Sequence, residues 1–336
     1  MPDAPPACRP GVAWRHPEET TVTGKVVFLF PGQGAQKVGM GKELHDAFRE
    51  AREVFEEASD TLGVDMKQLC FEGPEEALQR TVNTQPAVLI HSVACLRLLR
   101  QTGIEAQAAA GHSLGEYTAH VAAGSIEFVD ALRIVRRRGE LMYEAGLRWP
   151  GAMAAVLGLP PERLSDLLEQ AGEQGIIQAA NLNSPRQVVV SGESAPVELA
   201  IDLAPGLGAR RAIRLPVSGA FHSPLMESAA EGLREVLATT AISDAAFPVI
   251  ANATAGPVRE ADSIRRSLEE QLLARVRWEE SMRWLVAEEF EAGIELGPGT
   301  VLRSLAREID RSLPVHSVSK PADLDAVATA WEAARS

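Results

Sequence analysis

The chain has 336 residues, enough to bury a sizeable core as one large domain or as a large domain carrying a smaller one. At 46% apolar and 24% charged it has a globular composition, with no run of 18 apolar residues that would span a membrane. A formal net charge of −13 repels phosphate backbones and argues against nucleic acid, and an acidic partner would have to meet a local basic patch.

Residues 1–24 carry prolines at 2, 5 and 6 and no apolar stretch of the kind a secretory signal needs, so a loosely ordered extension is expected there. Val26 to Phe30 is a short β-branched and aromatic run ending at Pro31-Gly32, which predicts a buried strand delivered into a loop. Helical spacing follows from Gly41 to Leu62, and a second helix is expected over Pro86–Leu99 with Pro86 at its first position and Thr84 as a cap. A strand at Ala106–Ala110 then runs into a sharp turn at Ser113 and a helix through Tyr117–Ala122, with another helix at Phe128–Glu144.

After Trp149-Pro150-Gly151 the texture changes. Strands at Ala152–Leu157, Ile176–Asn181, Gln187–Ser191 and Ala212–Leu215 alternate with helices at Pro161–Ala171 and Pro196–Leu203. This βαββαβ order is that of a ferredoxin-like unit. The fold class expected is therefore α/β, with a mostly parallel sheet in a large α/β-hydrolase-like domain and an inserted, small ferredoxin-like α+β domain. The division is 25–149 with 219–336 for the large catalytic domain and 150–218 for the insertion. Further strands are expected at Pro248–Asn252 and Phe290–Leu296, and Gly297-Pro298-Gly299 should open a helix whose amides point at the site.

Gly111-His112-Ser113-Leu114-Gly115 has the GxSxG form of a nucleophile elbow and lies between a predicted strand and a predicted helix. A serine at its free pKa needs a base. Of seven histidines (His16, His45, His91, His112, His120, His222 and His316), His222 stands out, between a strand end with small residues and a Pro-started helix. From these residues alone it reads either as the base or as a packed core histidine. Arg138 has the planar fork that a carboxylate-bearing substrate needs, although a solvated arginine is the plainer reading of one among Arg136-Arg137-Arg138. The loop Gly32-Gln33-Gly34-Ala35-Gln36 lacks the Gly-Lys-Ser/Thr of a phosphate cradle; it and the Leu114 amide could serve an oxyanion. Cys8, Cys70 and Cys95 are widely spaced, which leaves disulfides and metal sites unsupported and suggests reduced thiols in a cytoplasmic protein.

Several separate stretches agree on one family. Phe30 to Gln36 with Gly39-Met40, Thr84-Gln85-Pro86-Ala87, Gly111 to Tyr117, Arg138-Gly139 with Met142, Gly151 to Ala155, Asn181 to Gly192, Phe221 to Met226 and Gly297 to Gly299 resemble the malonyl-CoA:acyl carrier protein transacylases and the related acyltransferase domains of polyketide synthases. The resemblance implies that Ser113 is acylated, that His222 is its base, and that the backbone carbonyl of Gln271, rather than an Asp, orients the imidazole. It implies an oxyanion hole at the Gln33 and Leu114 amides, and it reverses the plain reading of Arg138, which would pair with the free carboxylate of a malonyl group. Gln85, Met142 and Phe221 fall at substrate-binding positions, and Phe221 before the histidine goes with malonyl rather than methylmalonyl. No permanent cofactor is implied: malonyl-CoA is substrate, and the phosphopantetheine is carried by the partner, an acyl carrier protein. Arg210, Arg211 and Arg214 are the candidate basic contacts for that acidic partner or for the CoA phosphates. A monomer is expected. Competing readings are an acyltransferase serving polyketide carrier proteins, a serine hydrolase using His316, and a non-catalytic scaffold.

Overall fold

The computed structural model describes residues 24–217 and 219–333. The extension expected over 1–24 lies, apart from Gly24, outside the described residues. In chain order the strands are β1 (Lys25–Phe30), β2 (Ala108–Gly111), β3 (Gly151–Leu157), β4 (Ile177–Ser184), β5 (Gln187–Glu193), β6 (Arg211–Arg214), β7 (Val249–Ile250), β8 (Pro257–Val258), β9 (Phe290–Leu296) and β10 (Val315–Val318).

Six of them form a sheet in the order β10-β9-β1-β2-β7-β8, parallel except for the edge pair β7-β8. The unbroken apolar run of β1 is explained by its central place, since both of its faces are covered. Val26, Phe28 and Phe30 pack into one core with the helices Thr81–Arg100 and Phe128–Arg148. Val27 and Leu29 pack into a second core with Trp278, Met282, Leu302 and Leu305, from the helices Trp278–Ala287 and Val301–Ile309 on the other side. The sheet is thus a middle layer, and the loops after β1, β2 and β7 emerge together at its carboxyl edge, where α/β sheets present their sites.

The second sheet has the order β4-β5-β3-β6 and is antiparallel throughout. Ala152, Ala154 and Val156 of β3 face its own helices, Leu164–Gly172 and Ser194–Leu203, while Met153 and Ala155 join the main core. β4 is also stitched to the large sheet's side: Leu182 N donates to Val276 O and Val276 N to Ala180 O, each at 2.8 Å.

Three sequence expectations need correction. The helix expected to begin at Pro86 begins at Thr81, so Pro86 lies inside it and Thr84 bonds Leu78 O rather than capping. A proline there leaves the Val82 carbonyl without its helical donor; the guanidinium of Arg136 supplies one instead, Nη1 to Val82 O at 3.1 Å. The Gly41–Leu62 helix is two, broken where Phe48 is extended. And the amides after Gly297-Pro298-Gly299 do not point at the site: those of Leu302 and Arg303 donate to the buried Glu295 carboxylate at 2.9 and 3.1 Å.

Candidate active site

The elbow is built from close backbone contact. A Cβ on Gly111 would lie 1.9 Å from the Gly115 carbonyl, and one on Gly115 would lie 2.1 Å from Phe30 O, so only glycine lets β1, β2 and the helix Gly115–Ala122 meet here. Ser113 sits between them with φ +50°, a left-handed conformation that costs free energy and turns its side chain outward. Asn252, just past β7, holds that turn: its Oδ1 accepts from Ser113 N at 2.6 Å while its Nδ2 donates to Gly111 O at 2.7 Å.

Ser113 Oγ lies 2.8 Å from His222 Nε2. His222 is buried, also has a left-handed φ of +55°, and has its carbonyl held by Gln178 Nε2 of β4 at 2.6 Å. Its Nδ1 is 3.0 Å from both Gln271 O and Ala274 O. Two carbonyls can only accept, so Nδ1 carries the ring proton and Nε2 is left as an acceptor for the serine hydroxyl. Burial, with the Arg138 charge as a second cause, pushes the His222 pKa down to about 3, so the ring is neutral. The serine and imidazole are therefore arranged for proton transfer without a carboxylate behind them.

Arg138 is 1% exposed. Nη1 donates to Gln85 Oε1 at 2.9 Å, and Nη2 to Ser113 Oγ and Gln271 Oε1, each at 3.1 Å; the guanidinium lies over the Tyr117 ring. Among the described residues no carboxylate comes within ion-pair distance of it, and its Nε has no partner. A buried guanidinium served only by neutral acceptors is prepared to take an anion. Gln85 in turn reaches Thr81 Oγ1 and Met142 Sδ, each at 3.1 Å, and Thr81 reaches the side chain of Gln33 at 2.8 Å. Phe221, beside the base, is buried. The Gln33 and Leu114 amides donate to no protein acceptor among the described residues. A cleft of about 470 Å³ opens beside Gln33 and His112, between that loop and Asn181, Asn183 and Val189 of the second sheet.

The arginines at 210, 211 and 214 lie apart from this cluster, exposed at or beside β6. Arg214 is paired with Glu198 and is not a free cation; Arg210 lines a separate cleft with Arg186. His316, the base that a hydrolase reading would need, is exposed on the edge strand β10. Among the described residues no three His, Cys, Asp or Glu side chains converge as a metal site would require, and no helix is long and apolar enough to cross a membrane.

The profile of the acyl transferase domain family matches residues 27–324. The chain belongs to this family. The acyltransferase is 48% identical over 302 residues to a malonyl CoA-acyl carrier protein transacylase of Bacillus subtilis strain 168, across 90% of this chain and 95% of that relative. It is 41% identical to the transacylase of the same name from Escherichia coli strain K12, across 89% and 97%. Among solved structures, the malonyl-CoA:acyl carrier protein transacylase of Xanthomonas oryzae superposes with a TM-score of 0.89 at 40% identity, over 93% of this chain and 99% of that one. A malonyl-transacylase solved in complex with its type II polyketide synthase acyl-carrier protein matches with a TM-score of 0.88 at 39% identity, over 91% and 99%.

Sequence reasoning passed over Asn252, Glu116, Gln178 and Ala274. For Asn252 a signal existed, since it ends a predicted parallel strand, where site loops begin. Glu116 lay inside the matched motif, but nothing local distinguishes a buried carboxyl from a solvated one.

Proposed function

We propose that this acyltransferase moves a malonyl group from malonyl-CoA to the phosphopantetheine thiol of an acyl carrier protein, with Ser113 carrying it in between. His222 Nε2 takes the Ser113 proton as Oγ attacks the thioester carbonyl. The tetrahedral oxyanion meets the Gln33 and Leu114 amides; as it collapses the C–S bond breaks and the proton passes from His222 to the CoA sulfur. The carrier thiol then gives its proton to His222 and attacks the serine ester, and Ser113 regains a proton as the C–O bond breaks. One thioester is exchanged for another through an ester, so ping-pong kinetics in both directions are expected. Gln271 O and Ala274 O hold the imidazole tautomer throughout.

The observation that carries the reading is Arg138, buried 3.1 Å from the Ser113 hydroxyl with no carboxylate within ion-pair distance among the described residues. An acyl chain on that oxygen ending in a carboxylate supplies the missing anion, whereas acetyl leaves the guanidinium buried and unpaired. Gln85 and Met142 back the arginine, and Phe221 crowds the place of an α-methyl branch, worth ~1–3 kcal/mol. Residues 25–149 and 219–336 act as the catalytic domain, with 150–218 inserted as the wall that faces the incoming thioester. Arg210 and Arg211 are proposed contacts for an acidic carrier protein or the CoA phosphates. The protein works as a cytoplasmic monomer with no resident cofactor.

Incubation with malonyl-CoA should give a malonylated protein by intact mass, and Ser113→Ala should stay unlabelled. Labelled malonyl should then appear on carrier protein rather than as free malonate, and dominant release of malonate would overturn the transferase reading. Loading of a polyketide synthase carrier protein keeps the same chemistry and is motivated by the solved complex of a relative; the ratio of transfer to fatty-acid and polyketide carriers separates the two.

A further inference from the structure

The carboxyl of Glu116 is fully buried, one helical turn past Ser113, and the steps above do not use it. Its Oε2 accepts from Gln271 Nε2 at 2.8 Å and from Asn252 N at 3.0 Å, and its Oε1 from Ser267 Oγ at 3.4 Å. Gln271 Nε2 also donates to Ser113 O at 2.9 Å, and its Oε1 accepts from Arg138 Nη2 at 3.1 Å.

These contacts fix which way the Gln271 carboxamide points. A backbone carbonyl only accepts, and Glu116 Oε2 already accepts from Asn252 N, so the group facing both must be the NH₂. The carboxamide oxygen is then the atom left to meet Arg138. Rotated by half a turn, the amide would set oxygen against two acceptors and NH₂ against a guanidinium donor. With Glu116 replaced by an apolar group, the NH₂ loses one of its two acceptors, and only Ser113 O and the Arg138 donor would still favour the observed sense. The oxygen that fixes one arm of the Arg138 fork would be held less firmly, and bidentate pairing with a carboxylate depends on that fork.

We propose that Glu116 is a positioning residue for cargo selection, holding the Arg138 guanidinium in register for a malonyl carboxylate through the Gln271 carboxamide. The proposal rests on the reading of Arg138 as the carboxylate partner. It also separates two roles within Gln271: the backbone carbonyl faces the base, and the side chain serves the arginine.

The test compares acylation of the full-length protein by malonyl-CoA and acetyl-CoA, followed as acyl-enzyme in rapid-quench intact mass. Glu116→Ala should lower the malonyl-to-acetyl ratio of acylation rates about ten-fold or more, as expected for a misplaced binding group, with the loss in the apparent malonyl-CoA affinity. Glu116→Gln offers an acceptor oxygen in the same place and should keep the ratio. Equal losses for both thioesters in Glu116→Ala would mean that the residue acts only through Asn252 on the elbow, and would overturn the proposal, as would loss of the ratio in Glu116→Gln. Should Glu116→Ala fail to fold, Gln271→Leu decides, since it keeps the carbonyl facing His222 and removes only the carboxamide; an unchanged ratio there also overturns the proposal. Arg138→Ala is the control: a retained malonyl preference in that variant defeats the underlying reading of the arginine, whereas its loss alongside an unaffected Glu116→Ala defeats only the proposal.

Discussion

His222 takes its orientation from Gln271 O and Ala274 O, so no negative charge offsets an imidazolium there. Burial first and Arg138 second hold its pKa at about 3 against an ordinary 6.5. A base works unprotonated, so protonation should cost activity only far below pH 6.5. The acylation rate constant for malonyl-CoA, measured by stopped flow, should stay level from pH 8 down to about pH 5; an inflection at 6.5 would show the ring to be far less desolvated than its surroundings imply. At this scale the serine was legible because an elbow needs small residues at fixed spacing, a demand met within five positions. Arg138 was not legible from its own surroundings, since burial of one arginine among three depends on Gln85 and Gln271, 53 and 133 residues away. Asn252 and Glu116 were invisible for the same reason: their bonds to Ser113 N and Gln271 Nε2 span 139 and 155 residues.

Among the elements, the elbow is the most sharply constrained. Gly111→Ala should destabilise the protein by about 3 kcal/mol, because the new methyl meets Gly115 backbone rather than a side chain that could swing away. Denaturant unfolding should show the lowered midpoint and intact mass the loss of acylation; a variant with unchanged midpoint would mean that β2 and the following helix separate easily. Long elements with strong pattern were legible, among them β1, β9 and the helix from Phe128. Two short ones were missed, β8 and β10 with two and four residues, although β6 and β7 are as short and were expected. The helix from Thr81 was misjudged because Pro86 normally marks a helix start, and only the distant Arg136 makes an interior proline tolerable.

For the whole molecule, acid sensitivity follows from what is buried. His91, His112, His120 and His222 all have pKa values lowered by desolvation, to about 4 for His91 and about 3 for His120 and His222. Below pH 6.5 the unfolded chain takes up these protons first, so stability is lost as pH falls from 6.5 toward 4. Glu116, raised by burial to about 7, and Glu295, also raised, act oppositely: the folded state is protonated first, which adds stability as pH falls toward 4.5. Four groups against two leave a net loss of stability as pH falls below 6.5. Unfolding free energies at pH 7.5 and 5.5 should differ in that direction, and equal values would contradict it. The βαββαβ order of the second sheet was legible from alternating patterns, whereas its stitching of β4 to Val276 was not, since it pairs segments close only in the folded state. That stitching, and the 109-residue separation of Ser113 and His222, also bear on how the enzyme is made. A ribosome finishes the serine long before the histidine, and the first of the carbonyls that aim the ring comes 49 residues later still. A nascent chain therefore passes among cellular thioesters with a hydroxyl that is still inert, and its reactivity appears only on completion of the fold.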